Sequence, residues 1–314
     1  TNGAVTTGKE LIANVGNDLA MNDLVSAGGS ASLTVGRNAT LGGALTTGGD
    51  FTAKVGNDFT ANVAHDLTAN DAVTTGADFA EIVGNDAVTN GIVTTNGALK
   101  WNVGNDFTVN AAVFSHGTTT IDAQNVKLSA DLMSDKNLTI TAKNNIFTKE
   151  GTNLSTKSDG RLKARTADLG GDVHADGTLT IETDDRLAAK NITAGGNATL
   201  NAGAELSAKN VNVGGNADIT AGTNLAANDV SVGGNLNAKA KNITVSNVGA
   251  GSNATLNAET VLTAQHISVG GSLNAKAVNM KAHDIKADGA ATLNADAELS
   301  AKNVNVGGNA DITA

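Results

Sequence analysis

The feature that most constrains this fold is a short phrase that returns at a nearly constant interval. In the first third of the chain, a Val-Gly pair followed by two polar residues begins at Val15, Val35, Val55, Val83 and Val103. Most of these sites are separated by the same 20-residue step, which predicts one structural unit per step. The step from Val55 to Val83 is longer, and residues 63–70 (VAHDLTAN) repeat residues 55–62 (VGNDFTAN). We therefore expect an eight-residue insertion near 63–70, as a side arm or as one widened coil.

The last third of the chain repeats over a longer distance. Residues 198–221 return at residues 291–314 with a single change, Gly203 to Asp296. The phrase SVGG recurs at Ser231 and Ser268, a distance of two steps that are each slightly shorter than those of the first third. This spacing predicts 18–19-residue coils, five of which form a 93-residue higher-order repeat.

The short period predicts the fold class. Extended runs of four to six residues, such as 50–55, 58–62 and 72–75, are separated by Gly, Asn and Asp, which favour tight turns. We expect an all-β parallel β-solenoid, or β-helix, with about 15–16 coils of 18–20 residues and three short strands per coil. A leucine-rich repeat would need an LxxLxL phrase, and a propeller blade would need about 40 residues. At about 4.8 Å per coil, the predicted stack is a rod about 75 Å long.

Composition divides the predicted array into three regions. Residues 1–114 have regular 20-residue coils, residues 115–190 are irregular and more basic, and residues 191–314 have the 18–19-residue coils. The middle region holds 10 of the 21 Lys and Arg residues, whereas residues 1–114 hold 4. Because the phrases continue through all three regions, we interpret them as one continuous array, and the sequence as an excerpt of a longer chain.

Apolar residues that recur at one position of each unit predict the core. Only 2 % of residues are aromatic, so we expect thin layers of Ala, Val, Leu and Ile. Strand residues alternate between two faces, so these columns should point inward and stack on one another. The predicted core ladder consists of Val15, Val35, Val55, Val83, Val103, Leu11, Phe51, Phe79 and Leu99.

Polar residues at the turns predict a second ladder. Asn57, Asn85 and Asn105 follow the Val-Gly pair, and stacked amides can form hydrogen-bonded ladders. We expect the neighbouring acidic residues to be exposed to solvent at the corners of the coils; they are Asp58, Asp86 and Asp106.

Glu81 disagrees with the predicted alternation. It occupies an inward position in its unit, and Trp101 occupies the same position in the next unit. Because a lone buried carboxylate is costly, we expect a local bulge that turns Glu81 outward. Trp101 stands alone in the sequence, and we expect it to fill the core or a corner.

The sequence offers no convincing catalytic or metal-binding constellation. It has no Cys, and its five histidines lack ligand spacing, so we expect isolated surface or turn residues; they are His65, His116, His174, His266 and His283. Asp184 and Asp185 could resemble the carboxylates of a β-helix enzyme, but adjacent strand residues face opposite sides. We therefore predict no catalytic residue, no metal site and no cofactor, and assign no binding residue.

Charge and hydropathy restrict the partners. The net charge of −10 disfavours nucleic acid and anionic membrane surfaces. The sequence contains no apolar run near the roughly 20 residues that span a bilayer, so we expect no membrane insertion.

Several phrases carry a family resemblance, namely GGNLNAKA, GGNADITA and GGDFTAKVGND. They resemble the shaft repeats of filamentous haemagglutinin-like exoproteins of two-partner secretion. The resemblance implies a right-handed parallel β-helix that is exported through an outer-membrane pore and displayed on the bacterial cell surface. Members of that family mediate adhesion, aggregation and biofilm formation. Their N-terminal secretion domain, with its Asn-Pro motifs, has no counterpart in this sequence, which contains no proline.

These observations predict a function that is structural. We expect an extracellular shaft of a large fibrous adhesin, which supports adhesion, cell–cell contact or biofilm. Expected partners are other copies or neighbouring solenoid segments, joined end to end, and cell-surface or glycan receptors. Two alternatives are a self-polymerising subunit of an extracellular matrix fibre and a β-helix polysaccharide-processing enzyme. The enzyme would need carboxylates that converge in a cleft near residues 115–190.

Overall fold

The protein is an all-β chain that forms two compact units. The computed structural model describes residues 1–43, 45–47, 51–63, 66–69 and 72–314, and only the backbone of Phe51. The described residues form strands, turns and bends and contain no helix. The first unit is Thr1–Ser158 and the second is Asp159–Ala314. The boundary between them lies inside the region 115–190.

The strands of the first unit are mostly three to five residues long, because Gly, Asn and Asp interrupt the extended runs. They are β1 (Val5–Thr7), β2 (Leu11–Val15), β3 (Leu19–Met21), β4 (Val25–Ala27), β5 (Ala31–Val35), β6 (Ala39–Leu41), β7 (Leu45–Thr47), β8 (Phe51–Val55), β9 (Phe59–Val63), β10 (Leu67–Ala69), β11 (Val73–Thr75), β12 (Phe79–Val83), β13 (Ala87–Thr89), β14 (Val93–Thr95), β15 (Leu99–Val103), β16 (Asp106–Val109), β17 (Val113–Ser115), β18 (Thr119–Leu128), β19 (Leu132–Ser134), β20 (Leu138–Thr148) and β21 (Asn153–Thr156).

The strands of the second unit are longer, because several continue through a bend at which the pairing register shifts. They are β22 (Gly160–Ala164), β23 (Thr166–Ala175), β24 (Leu179–Thr183), β25 (Arg186–Ala194), β26 (Ala198–Ala202), β27 (Glu205–Val213), β28 (Ala217–Ala221), β29 (Asn224–Val232), β30 (Leu236–Ala250), β31 (Ala254–Val269), β32 (Leu273–Ala287), β33 (Ala291–Val306) and β34 (Ala310–Thr313).

Within each unit, strands pair in parallel with strands one coil further along the chain. In the first unit, β2 pairs with β5, β5 with β8, and β8 with β11, always with the 20-residue step. In the second unit, β24, β26 and β28 pair in the same way with a 19-residue step. In the described residues each unit is a parallel β-solenoid with coils of about 19 residues, and the two units together have about 16 turns. The predicted parallel β-solenoid is therefore confirmed.

The 20-residue step persists where the Val-Gly phrase takes its longer step. Val55 pairs with Thr75 of β11, and Val83 of β12 pairs with Val63 of β9. The predicted eight-residue insertion is therefore wrong for the described residues on either side, while residues 64, 65 and 70 lie outside the described chain. The Val-Gly phrase instead moves to the next strand position around the coil. Both positions accept it because both need alternating apolar residues followed by a tight corner.

This shift divides the predicted core ladder into separate columns. One column contains Val15, Val35 and Val55, and another contains Val83 and Val103. Leu11 likewise stacks under Ala31, which pairs with Phe51, whereas Phe79 pairs with Leu99. Leu11 and Val15 are half-buried in the first coil, and the side chain of Phe51 lies outside the described chain. The other six members are buried, with 1–3 % exposure; they are Val35, Val55, Val83, Val103, Phe79 and Leu99.

The 93-residue sequence repeat of the second unit corresponds to five coils. Five successive register steps lead from Ala198 to Ala217, Leu236, Ala254, Leu273 and Ala291. Strands β30 to β33 are 15 or 16 residues long and have register shifts at their bends. The predicted three runs per coil are therefore joined there into one bent strand.

The core is mostly aliphatic, but the first unit also contains an aromatic cluster. Phe79 stacks on Phe59 with 5.3 Å between ring centroids and contacts Trp101 edge-on at 5.4 Å. Trp101 in turn lies 4.7 Å from Phe107. All four side chains are at most 2 % exposed. Trp101 therefore fills the core as predicted, although it does not stand alone, because residues one coil apart in sequence meet in successive coils.

Candidate functional site

Glycine occupies a corner at which successive coils approach closely. A Cβ on Gly56 would lie 2.1 Å from the carbonyl oxygen of Gly36, and one on Gly36 would lie 2.2 Å from that of Gly16. The Gly36 amide donates a 2.8 Å hydrogen bond to the Val15 carbonyl. Any larger residue would therefore push apart the coils that these bonds hold together.

The predicted turn ladder does not form on the predicted residues. Asn57 and Asn85 lie at different corners, because the Val-Gly phrase moves between them. Asn105 lies one coil beyond Asn85, and its backbone amide donates to the Asn85 carbonyl at 2.9 Å. Within the described chain, no side-chain hydrogen bond links Asn57, Asn85 or Asn105. At this position the backbone, and not the side chain, therefore forms the hydrogen bond to the next coil.

The side-chain ladder lies one residue later, on Asp. Asp58 Oδ1 accepts a 3.0 Å hydrogen bond from the Asp78 amide, and Asp86 Oδ1 accepts one of 3.1 Å from the Asp106 amide. This residue immediately precedes a strand, so its side chain meets the unpaired backbone N–H of the next coil. The acidic residues predicted to be simply exposed therefore also bond successive coils.

The second unit has an amide ladder of the predicted kind, but on other asparagines than those predicted. Asn197 Oδ1 accepts a hydrogen bond from the Asn216 amide at 2.8 Å, and Asn216 Oδ1 accepts one from Asn235 at 2.8 Å. Asn253 continues the series. The sequence signal for this ladder was the Asn of the GGN phrase, which recurs at the coil length.

Hydroxyl groups form a further ladder inside the first unit. Thr75 stacks above Val55, and the column continues through Thr95 and Ser115 to Ser134. These hydroxyls are buried and bond to corner carbonyls; for example, Ser134 Oγ donates to the Gly117 carbonyl at 2.9 Å. Thr75, the second Thr of Thr74-Thr75-Gly76, is thus an internal hydrogen-bond donor.

Glu81 points inward, and the predicted bulge is wrong. The pairing of β12 with β15 is unbroken from Phe79 to Val83, and Glu81 is 5 % exposed. Trp101 Nε1 donates a 2.7 Å hydrogen bond to Glu81 Oε2. A buried indole N–H needs an acceptor, and Glu81 supplies it from one coil below. The spacing of the two residues was a signal in the sequence, because it equals the coil length.

Burial changes the protonation of Glu81. Desolvation raises the pKa of the carboxyl group from 4.5 to about 7, while the hydrogen bond from Trp101 acts in the opposite direction. Near neutral pH the group is therefore divided between its neutral and ionised forms. Its position in a packed core makes it a structural titratable group rather than one that a substrate reaches.

An open furrow crosses the glycine corners of the first unit. Its lining includes Val35, Gly36, Lys54, Val55 and Gly56. These groups offer aliphatic surface and backbone with a lysine charge. They do not converge as the few polar groups of a specific small-molecule site would. The furrow therefore does not indicate a ligand class.

Asp184 and Asp185 lie in the bend between β24 and β25, and not within a strand as predicted. Asp185 Oδ2 lies 3.9 Å from the guanidinium of Arg165, and Asp184 is exposed. This arrangement is that of a surface ion pair rather than of an acid–base pair.

The histidines differ in their surroundings. His116 Nδ1 lies 2.6 Å from Asp135, and His174 Nε2 lies 2.7 Å from Asp176. His65 lies outside the described chain. His266 and His283, predicted to be isolated, instead converge on one carboxylate, that of Asp284. His266 and Asp284 are separated by one coil length, a signal that a search for helical ligand spacing does not detect.

No family model matches the sequence, and the comparisons with curated proteins and with solved structures gave no match either. In the described part of the chain, no helix has the length and apolar character needed to cross a membrane. The family resemblance of the repeat phrases stays a prediction.

Proposed function

We propose that the chain is the structural shaft of a secreted or surface-displayed bacterial fibrous adhesin, and that it supports adhesion, cell–cell contact or biofilm. The observation that carries this proposal is the parallel coil-on-coil pairing within each unit. A shaft needs a stack that extends by adding identical layers, and a solenoid provides one because each coil contacts only its neighbours.

The hydrogen bonds at the corners support a mechanical role. In the second unit, the Gly214 amide donates to the Ala194 carbonyl and the Gly233 amide to the Val213 carbonyl, both at 2.8 Å. The amide ladder through Asn216 adds side-chain bonds at the same corners. Strands and corners therefore both connect each coil to the next, so separation of two coils requires many bonds to break together.

Parallel pairing also indicates the kind of partner that a coil accepts. Each interior coil pairs in parallel with the coil before it and the coil after it, as β33 does with β32 and β34. We therefore propose neighbouring solenoid segments, joined end to end, as partners.

Electron microscopy of the purified 314-residue chain tests the proposal. The continuous array that the sequence predicts would give single rods about 75 Å long, at about 4.8 Å per coil. Long filaments of uniform width would favour the self-polymerising matrix fibre instead. Compact particles would contradict both functions.

A further inference from the structure

Three potential metal ligands meet at one bend of the second unit. His283 Nδ1 lies 2.8 Å from Asp284 Oδ2, and His266 Nε2 lies 3.2 Å from the same oxygen. The three ligand atoms all lie within 4.8 Å of one another. The two imidazole rings are nearly perpendicular, with an interplanar angle of 88°. Two imidazole nitrogens and one carboxylate oxygen therefore form one compact cluster.

The coil geometry builds this cluster. Five corner residues have positive φ angles of 51–55°, and they recur at the coil length: Asp229, Asn247, His266, Asp284 and Asn303. Asn, Asp and His are the residues most often found in this left-handed conformation apart from Gly. His266 and Asp284 are thus consecutive members of one column. His283 precedes Asp284 and reaches the same carboxylate oxygen.

The next coil orients the carboxylate. Asn303 Nδ2 donates a 2.7 Å hydrogen bond to Asp284 Oδ1, which leaves Oδ2 toward the two histidines. An outer hydrogen bond that fixes a ligand carboxylate is typical of protein metal sites.

The distances suit a first-row transition metal. Nitrogen and oxygen ligands that lie about 2.1 Å from a metal ion are separated by about 3.0 Å in an octahedral and about 3.4 Å in a tetrahedral arrangement. The two nitrogen–oxygen distances, 2.8 and 3.2 Å, lie near these values. Imidazole with carboxylate favours Zn²⁺, Ni²⁺ or Cu²⁺ over Ca²⁺ and Mg²⁺, which prefer all-oxygen ligands.

We propose that His266, His283 and Asp284 bind one divalent first-row transition metal ion, of the class of Zn²⁺, and that the ion links two successive coils. Solvent completes the coordination shell, since all three side chains are at least partly exposed. The site is independent of the proposed shaft function. It adds to one bend a cross-link that the hydrogen-bond ladders do not provide.

Calorimetric titration of the whole chain with Zn²⁺, and with Co²⁺ monitored by its visible absorption, tests the site. We expect one saturable equivalent of metal and a rise in the melting temperature on binding. His266→Asn should weaken binding by more than about tenfold, since loss of even an outer-shell partner costs about 10–100-fold. Asn already occupies this corner at Asn247 and Asn303, so the variant should keep the fold.

His174→Asn is the matched control, because His174 pairs with a single carboxylate in the same unit. It should leave the Zn²⁺ affinity and the Co²⁺ spectrum unchanged. The proposal would be overturned if the unmodified chain bound no Zn²⁺ saturably. Circular dichroism should first show that the variants His266→Asn and His283→Ala are folded. The proposal would also be overturned if these folded variants bound Zn²⁺ as tightly as the unmodified chain.

Discussion

At the residue scale, Glu81 and Trp101 show how a solenoid keeps polar groups in its core. Each residue alone breaks the aliphatic pattern of its column. One coil apart, the Glu81 carboxylate accepts the indole hydrogen bond of Trp101 at 2.7 Å, and both side chains are satisfied within a buried layer. The raised pKa of Glu81 is the remaining cost of this burial, because desolvation disfavours the ionised form.

This raised pKa predicts a pH dependence of stability. The folded chain holds the Glu81 proton up to about pH 7, whereas the unfolded chain releases it near 4.5. The folded state therefore binds more protons in this window, and the contribution of Glu81 to stability falls as pH rises from 4.5 to 7. As the pH rises from 5 to 8, we expect the ionisation of Glu81 to lower the free energy of unfolding by about 2–3 kcal/mol.

The comparison with Glu81→Gln isolates this effect from other carboxyl groups. Gln keeps an acceptor for the Trp101 N–H and does not titrate. Denaturant unfolding, followed by the fluorescence of the single tryptophan, should show that the variant gains stability relative to the unmodified chain as the pH rises. An equal response of both proteins to pH would mean that Glu81 is not buried as described.

At the scale of the elements, the corners restrict which residues can stack in successive coils more than the strands do. Alternating apolar residues occur in every strand, and many combinations of strands could pair. The corners are more demanding, because the Gly56 backbone leaves no space for a Cβ above the Gly36 carbonyl. The Asp and Asn ladders then connect successive coils at the residue that precedes a strand. For example, the Asp78 amide donates a hydrogen bond to the Asp58 side chain.

Substitution of a corner glycine tests this requirement. A Cβ at Gly56 would lie 2.1 Å from a backbone oxygen, so Gly56→Ala should lower the free energy of unfolding by about 1–3 kcal/mol or more. Gly16 occupies the same corner in the first coil, and a Cβ there would have no neighbouring atom within 4 Å. Gly16→Ala should therefore leave stability nearly unchanged in the same denaturant titration. Equal effects of the two substitutions would contradict the close approach.

At the scale of the whole molecule, the repeated coil is the unit that can be added or removed. The five-coil repeat between Ala198 and Ala291 shows two nearly identical sequences in equivalent positions of one stack. Each coil there contacts the coils before and after it, so stability is expected to be a sum of local terms.

Deletion of one coil tests this modularity. Removal of residues 217–235 joins Asn216 to Leu236, which recreates the native phrase VGGNLNAKA and places Leu236 above Ala198. We expect this one-coil deletion to keep the β-sheet circular dichroism per residue and cooperative thermal unfolding. Removal of residues 217–226 alone breaks the register of the strands, and should give an aggregated or partly unfolded protein. If both deletions behaved alike, the coil would not be the structural unit.

The period of the coils, the inward alternation of their strands and the turn residues at their corners could be predicted from the sequence. These properties are local, because a few neighbouring residues are enough to favour a short strand or a tight turn. The five-coil repeat followed from the return of residues 198–221 at residues 291–314 and from the spacing of the SVGG phrase.

Which phrase stacks on which could be established only from the folded structure. Register between coils depends on the summed length of a whole coil, so the Val-Gly phrase could move from Val55 to Val83 without widening any described coil. The pairing of Glu81 with Trp101 and the meeting of His266 with Asp284 follow from the same cause. Residues one coil apart are distant in sequence and become neighbours only when the stack forms.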